Sequence, residues 1–192
     1  HDAIERLIVP IVKQLTEKKT QKLSKTKLKP WDLEVDPDGL APLKPFANGE
    51  ELLDKSIAVF QKLDAYFGDC LKTMKSGGFL DLDSKAGKAP GGYNYPLYES
   101  GIPFIFMNAA GAQRDLTTMV HEGGHAVHSF LSKDLELTGF KSLPSEVAEL
   151  ASMSMELLTM ELWSEFYSNE NDLKRAKLEQ IESVVKVLPW IA

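Results

Sequence analysis

Cysteine is nearly absent from this sequence: 192 residues contain one, Cys70. A lone thiol forms no internal disulfide, so an oxidising compartment is not required. A closed structural zinc site, which usually draws on several cysteines, has no ligands available. No apolar run approaches the ~18 residues of a membrane-spanning helix; the best, Ile102 to Met107, is far too short. Positive charge is also in deficit. The net charge of −6 argues against a nucleic-acid surface and suits a soluble, cytoplasmic protein. The one basic run, Lys18 to Lys29, lacks interleaved aromatics and reads as a solvated face. No signal segment follows His1, so the chain reads as an internal piece of a longer protein. Hydrophobic residues at 43% and charged ones at 26% describe a globular chain with a real core.

Histidine is scarce too, and its distribution is informative. Three of the four fall within the eleven residues from Thr118 to His128. Residues four apart on a helix lie one turn above the other on the same face, so His121 and His125 project in parallel. Glu122 sits beside the first of them. This is the H-E-x-x-H arrangement, two imidazoles for zinc and a carboxylate for proton transfer. Zinc lowers the pKa of a water it binds to about 7, and the adjacent Glu122 takes the proton. Gly123 and Gly124 each cost about 1 kcal/mol relative to Ala inside a helix, so something is expected to pack very close to the backbone there.

Around the motif the chain reads as mainly α with a small β-sheet. Ile4, Leu7, Ile8, Ile11, Val12 and Leu15 recur at helical spacing, with Pro10 predicting a kink or two short helices. Pro30-Trp31-Asp32-Leu33 and the proline-rich stretch 36–45 read as an extended connection. Asn48 with Glu51 three residues later opens a long helix, closed by Gly77-Gly78. Short strands are predicted at Phe79 to Asp83, Tyr93 to Tyr98 and Ile102 to Met107. After the metal helix, Pro144 starts another, and a last helix covers about Leu173 to Leu188 and stops before Pro189. The chain thus reads as a single partial domain over 1–192: a helical scaffold to about residue 77, a small sheet over 78–110, and metal-site helices over 111–192.

Catalytic zinc usually takes three protein ligands and a water. The third must come from outside the first helix, and Glu146, Glu149 and Glu156 are the candidates. Glu149 is favoured because Ala148, Leu150 and Ala151 flank it in the least polar part of its helix, where a carboxylate needs a partner. His128, one turn past His125, is expected to line the site or to hydrogen-bond behind it. An extended peptide is expected to add as a strand, with Ile102 to Met107 as the edge and Ala109 and Ala110 allowing close approach. Gly91, Gly92 and Tyr93 would form the opposite lip.

The stretches His121 to His128 and Pro144 to Met153, with Gly87 to Tyr93 and Pro30-Trp31-Asp32, resemble the thimet oligopeptidase and oligoendopeptidase F family. The resemblance implies a zincin-like metallopeptidase catalytic core, mainly α, that cuts short peptides with one zinc ion per chain. It implies zinc ligation by His121, His125 and Glu149 and catalysis by Glu122. It also implies that the oxyanion-stabilising histidine and tyrosines lie in the remainder of the parent chain, so the fragment itself is expected to be inactive or weak. Two readings stand beside it: a non-catalytic helical module with a vestigial or structural metal site, and a zinc hydrolase of a non-peptide amide.

Overall fold

The computed structural model describes residues 1–33 and 35–191, the last by its main chain alone. Contacts gather into two compact units, one of residues 1–43 with 174–192 and one of residues 44–173. The architecture is mainly helical with a three-stranded sheet, as the sequence predicts. Among the described residues no helix is long and apolar enough to cross a membrane.

In the first unit, α1 (Asp2–Leu7) and α2 (Val9–Lys22) meet at Ile8, just before Pro10, so the predicted kink is a break into two helices. Pro30–Asp32 forms a single 3-10 turn rather than an extended link. Asp32 accepts the Lys29 N–H at 2.8 Å, which closes the turn. The last helix, α8 (Glu170–Ile191), begins earlier than expected and continues through Pro189. Its start is displaced because Asn169 caps it, accepting from the N–H groups of Asn171 and Asp172.

The second unit carries the motifs. α3 (Gly49–Leu63) opens as predicted, with Asn48 accepting from Glu51 N–H at 2.9 Å. The Glu51 carboxylate reaches one residue further back, to Ala47 N–H. The long helix expected here is two. Asp64 is extended and its side chain caps α4 (Ala65–Gly77) by accepting from Tyr66 N–H at 2.8 Å. Gly68 makes the corner possible, since a Cβ there would stand 2.7 Å from the Gln61 Cα. Gly78, at φ +73°, ends α4 in the left-handed conformation a glycine adopts without strain.

β1 (Leu80–Asp83), β2 (Gly92–Tyr95) and β3 (Phe104–Ala109) follow. Their order is β1-β3-β2, with β3 parallel to β1 and antiparallel to β2. The strand expected to be a free edge is therefore the central one, hydrogen-bonded on both sides, because the chain returns between its two predecessors. β3 turns through Ala110-Gly111-Ala112 into α5 (Gln113–Ser132). The Asp115 carboxylate fixes that turn by accepting from both Ala110 and Ala112 N–H. α6 (Thr138–Lys141), a single turn that no periodicity announces, precedes α7 (Ser145–Met160). Leu52, Val59, Phe60, Leu71, Met74, Ile105, Met107, Leu116, Met119, Val120 and Trp163 are fully buried and form the core around α5.

Candidate metal centre

α5 presents its histidines because its other flank is bare. Gly123 lies against the Phe60 ring of α3, where a Cβ would come within 2.7 Å of Cζ. Gly124 lies against α7, where a Cβ would meet Met155 Cγ at 2.9 Å and Ser152 Cα at 3.0 Å. The close packing expected from the paired glycines is thus two-sided, and it brings the acidic residues of α7 up to the histidines of α5.

The imidazole rings of His121 and His125 stand edge to face, with centroids 4.8 Å apart. Glu149 faces both, its Oε2 3.2 Å from His121 Nε2 and its Oε1 3.7 Å from His125 Nε2. One ligand atom from each of these three residues lies within 4.8 Å of the others. Glu146, in the first turn of α7, is exposed and outside this cluster. Glu156 instead reaches behind His121, with Oε1 2.7 Å from Nδ1. The apolar flanks of Glu149 do not bury it: its side chain is half exposed, and Val147 and Leu150 stand in solvent. The Gly124 contact, not burial, brings Glu149 to the histidines.

Glu122 is buried and outside that trio, close enough for the charges of His121 and Glu149 to act on it. Burial raises its pKa, against the His121 charge and a hydrogen bond from Asn94 N–H. At His121 burial disfavours the imidazolium, but the Glu156 hydrogen bond and the charges of Glu122, Glu156 and Glu149 outweigh it and raise the pKa. Burial and the neighbouring His121 lower that of His125, which keeps it a neutral donor of a lone pair.

β2 flanks this arrangement. Gly91 C=O accepts from Asn108 N–H, so in the antiparallel ladder Gly91, Tyr93 and Tyr95 turn their main chain towards β3, while Gly92 and Asn94 turn theirs outwards. The Asn94 N–H that reaches Glu122 lies on this outer edge. Gly92 packs on α5, where a Cβ would meet Thr118 Cγ2 at 2.7 Å. Tyr93 is half exposed and stacks on Phe106. Ala109 and Ala110 are not available as expected: Ala109 is buried and its carbonyl accepts from Ser84 N–H, while Ala110 N–H is held by Asp115. His128 lines a cleft with His125, and its Nδ1 is buried without a partner. Sequence reasoning missed Asn94, whose part is played by its main chain and leaves no side-chain signal.

The likeness to known proteins extends over this whole arrangement. The chain is 27% identical over 153 residues to the oligoendopeptidase F homologue of Lactococcus lactis subsp. lactis, covering 80% of this chain and 25% of that protein. It is 30% identical over 109 residues to the oligopeptidase PepF of Bacillus subtilis, over 57% of this chain and 16% of that one. A structure described as an oligoendopeptidase F from Bacillus anthracis aligns with 98% of this chain and 34% of its own, at 26% identity and a TM-score of 0.90. PZ peptidase A, solved with an inhibitor, aligns over 98% and 33% at 28% identity and a TM-score of 0.89. The chain thus spans about a quarter of the length of the first of these curated relatives. Peptidase family M3 matches residues 1–188, and the chain belongs to that family.

Proposed function

We propose that this chain is the metal-site portion of a zinc-dependent endopeptidase that hydrolyses short oligopeptides. The observation that carries the reading is the convergence of His121, His125 and Glu149 within 4.8 Å, with the buried Glu122 beside them and outside the set.

The donors suit zinc. Two imidazoles and one carboxylate are a catalytic ligand set, whereas a closed structural site needs a fourth protein ligand; among the described residues the cluster has three. When bound, one zinc ion per chain would supply Lewis acidity and bring the pKa of water to about 7. Glu156 holds the proton of His121 on Nδ1, so that Nε2 offers its lone pair on the side where Glu149 stands. Glu122 takes the proton of the attacking water and delivers it to the departing amine. Its raised pKa moves it towards the working pH, where such shuttling is most effective.

The peptide main chain is assigned to the outer edge of β2, where Gly92 and the Asn94 carbonyl face outwards while the Asn94 N–H is engaged by Glu122. Gly91 and Tyr93 shape that strand from within, and His128 lines the cleft beyond it. The groups that stabilise the oxyanion belong to the rest of the parent chain, so this portion alone is weak or inactive. A cytoplasmic setting accords with the lone, buried thiol of Cys70.

The test uses the full-length parent. Glu122→Gln is expected to retain one zinc per chain while cleavage of an internally quenched peptide falls about 10²–10⁴-fold. Undiminished cleavage, or absence of zinc from the unsubstituted parent, overturns the reading.

A further inference from the structure

A cleft of about 250 Å³ opens beside the metal centre. Asn94 and His125 line it, as do His128, one turn further along α5, and Lys133 and Lys141. In a chain of net charge −6, no aspartate or glutamate among the described residues lines this cleft. The ammonium of Lys141 donates to the Lys133 carbonyl at 2.6 Å, which ties the short helix α6 to the end of α5. Two lysines lining one cleft, with no acid in its lining among the described residues, favour an anion there.

The position of the cleft says which anion. Gly92 and Asn94 turn their main chain to the outer edge of β2, and the next residue of that set is Pro96, which also lines the cleft. Proline has no N–H to donate, so edge pairing ends there. An extended chain lying on that edge would leave the strand at Pro96, in the cleft that His125 also lines. From that point its hold comes from side chains, and the charged side chains lining the cleft are cationic.

We propose that this cleft is a carboxylate-accepting subsite for the bound peptide, with Lys133 and Lys141 as its specificity-determining residues. The inference rests on the peptidase reading above for the nature of the ligand. The carboxylate is either an acidic side chain or the free C-terminus of the peptide; both present the same chemistry to the lysines.

The experiment measures binding, not turnover, on the zinc-free chain. Four N-acetylated pentapeptides of alanine carry Glu or Gln at the centre and a free or amidated C-terminus, and titration followed by NMR gives their Kd values. One carboxylate, central or terminal, is expected to tighten binding about tenfold, and the winning pair identifies its source. Lys133→Gln and Lys141→Gln together should abolish the preference, and Lys133→Arg with Lys141→Arg should preserve it. Equal affinities for all four peptides, or a preference that survives the double glutamine change, overturn the proposal. Should the double variant lose its helical circular dichroism, Lys133→Gln alone decides, because the Lys133 ammonium holds no hydrogen bond or ion pair among the described residues. A carboxylate preference in a protein whose parent cleaves no peptide would leave the subsite standing and remove the enzymatic reading alone.

Discussion

Glu156 hydrogen-bonds Nδ1 of His121 at 2.7 Å, on the opposite side of the ring from the Nε2 that faces Glu149. Two acids on one helix thus grip a single imidazole from both sides. The inner acid fixes the tautomer and the ring plane. Glu156→Gln is expected to weaken zinc binding about 10–100-fold, measured by competition with a fluorescent chelator. Unchanged affinity would show that the ring is oriented by packing alone.

Glu149 and Glu146 offer a direct contrast on the same helix. Glu149→Gln should strip zinc under mild chelation, since it removes the only carboxylate in the cluster. Glu146→Gln, at an exposed position in the first turn, should leave zinc content unchanged. The opposite pattern sinks the assignment.

Gly124→Ala sets helix propensity against packing. Alanine gains about 1 kcal/mol of intrinsic preference, but its Cβ would press on Ser152 Cα at 3.0 Å, and such overpacking costs about 1–3 kcal/mol. A net loss is expected, with Tm falling roughly 2–6 °C and zinc affinity falling as α7 is pushed away. Gly139→Ala in α6, where a Cβ meets open space, is the control and should not lower Tm. A Gly124→Ala protein as stable as the wild type would mean that α5 and α7 separate at no cost.

Burial raises the pKa of the Cys70 thiol to about 11, above its ordinary 9.0. The protonated form is the one the fold favours, so this contribution is in full force below pH 9 and fades as pH rises towards 11. The Tm difference between wild type and Cys70→Ala should hold constant from pH 6 to 8.5 and shrink above pH 9. Iodoacetamide at pH 8 should leave the native thiol unlabelled and react once the chain is unfolded. Rapid labelling of the native chain contradicts the burial.

Local patterns account for what the sequence made legible. The Asn48 cap, the Gly78 stop, the three strands and the metal helix all rest on spacings within a few residues. Asp64 shows where that stops: the apolar stripe passes smoothly from Leu63 to Phe67, and only the contact of Gly68 with Gln61 reveals a corner. The strand order escaped for the same reason, because β3 inserts between β1 and β2 by a choice of partners that neither strand encodes alone. At the site, spacing identified His121, His125 and Glu122. Glu149 was selected on an argument about apolar surroundings that the half-exposed side chain does not support, although the cluster does contain it. Glu156 stood among the candidate ligands, on the helix that follows the motif. Its place behind the ring follows from the depth at which α7 lies on α5, which Gly124 sets.

Those glycines also bear on how steadily the centre keeps its dimensions. Side chains that interlock across an interface have alternative rotamers, and warming lets them exchange among them. At Gly124 the α5 side of the contact has no side chain, and it meets the Ser152 Cα of α7 as well as the Met155 side chain, so part of the spacer is main chain, which has no rotamer to change. The gauge between the histidines and their acids is therefore set in part by a backbone contact. Warming that loosens apolar packing elsewhere in the unit should leave this gauge nearly constant until the helices part.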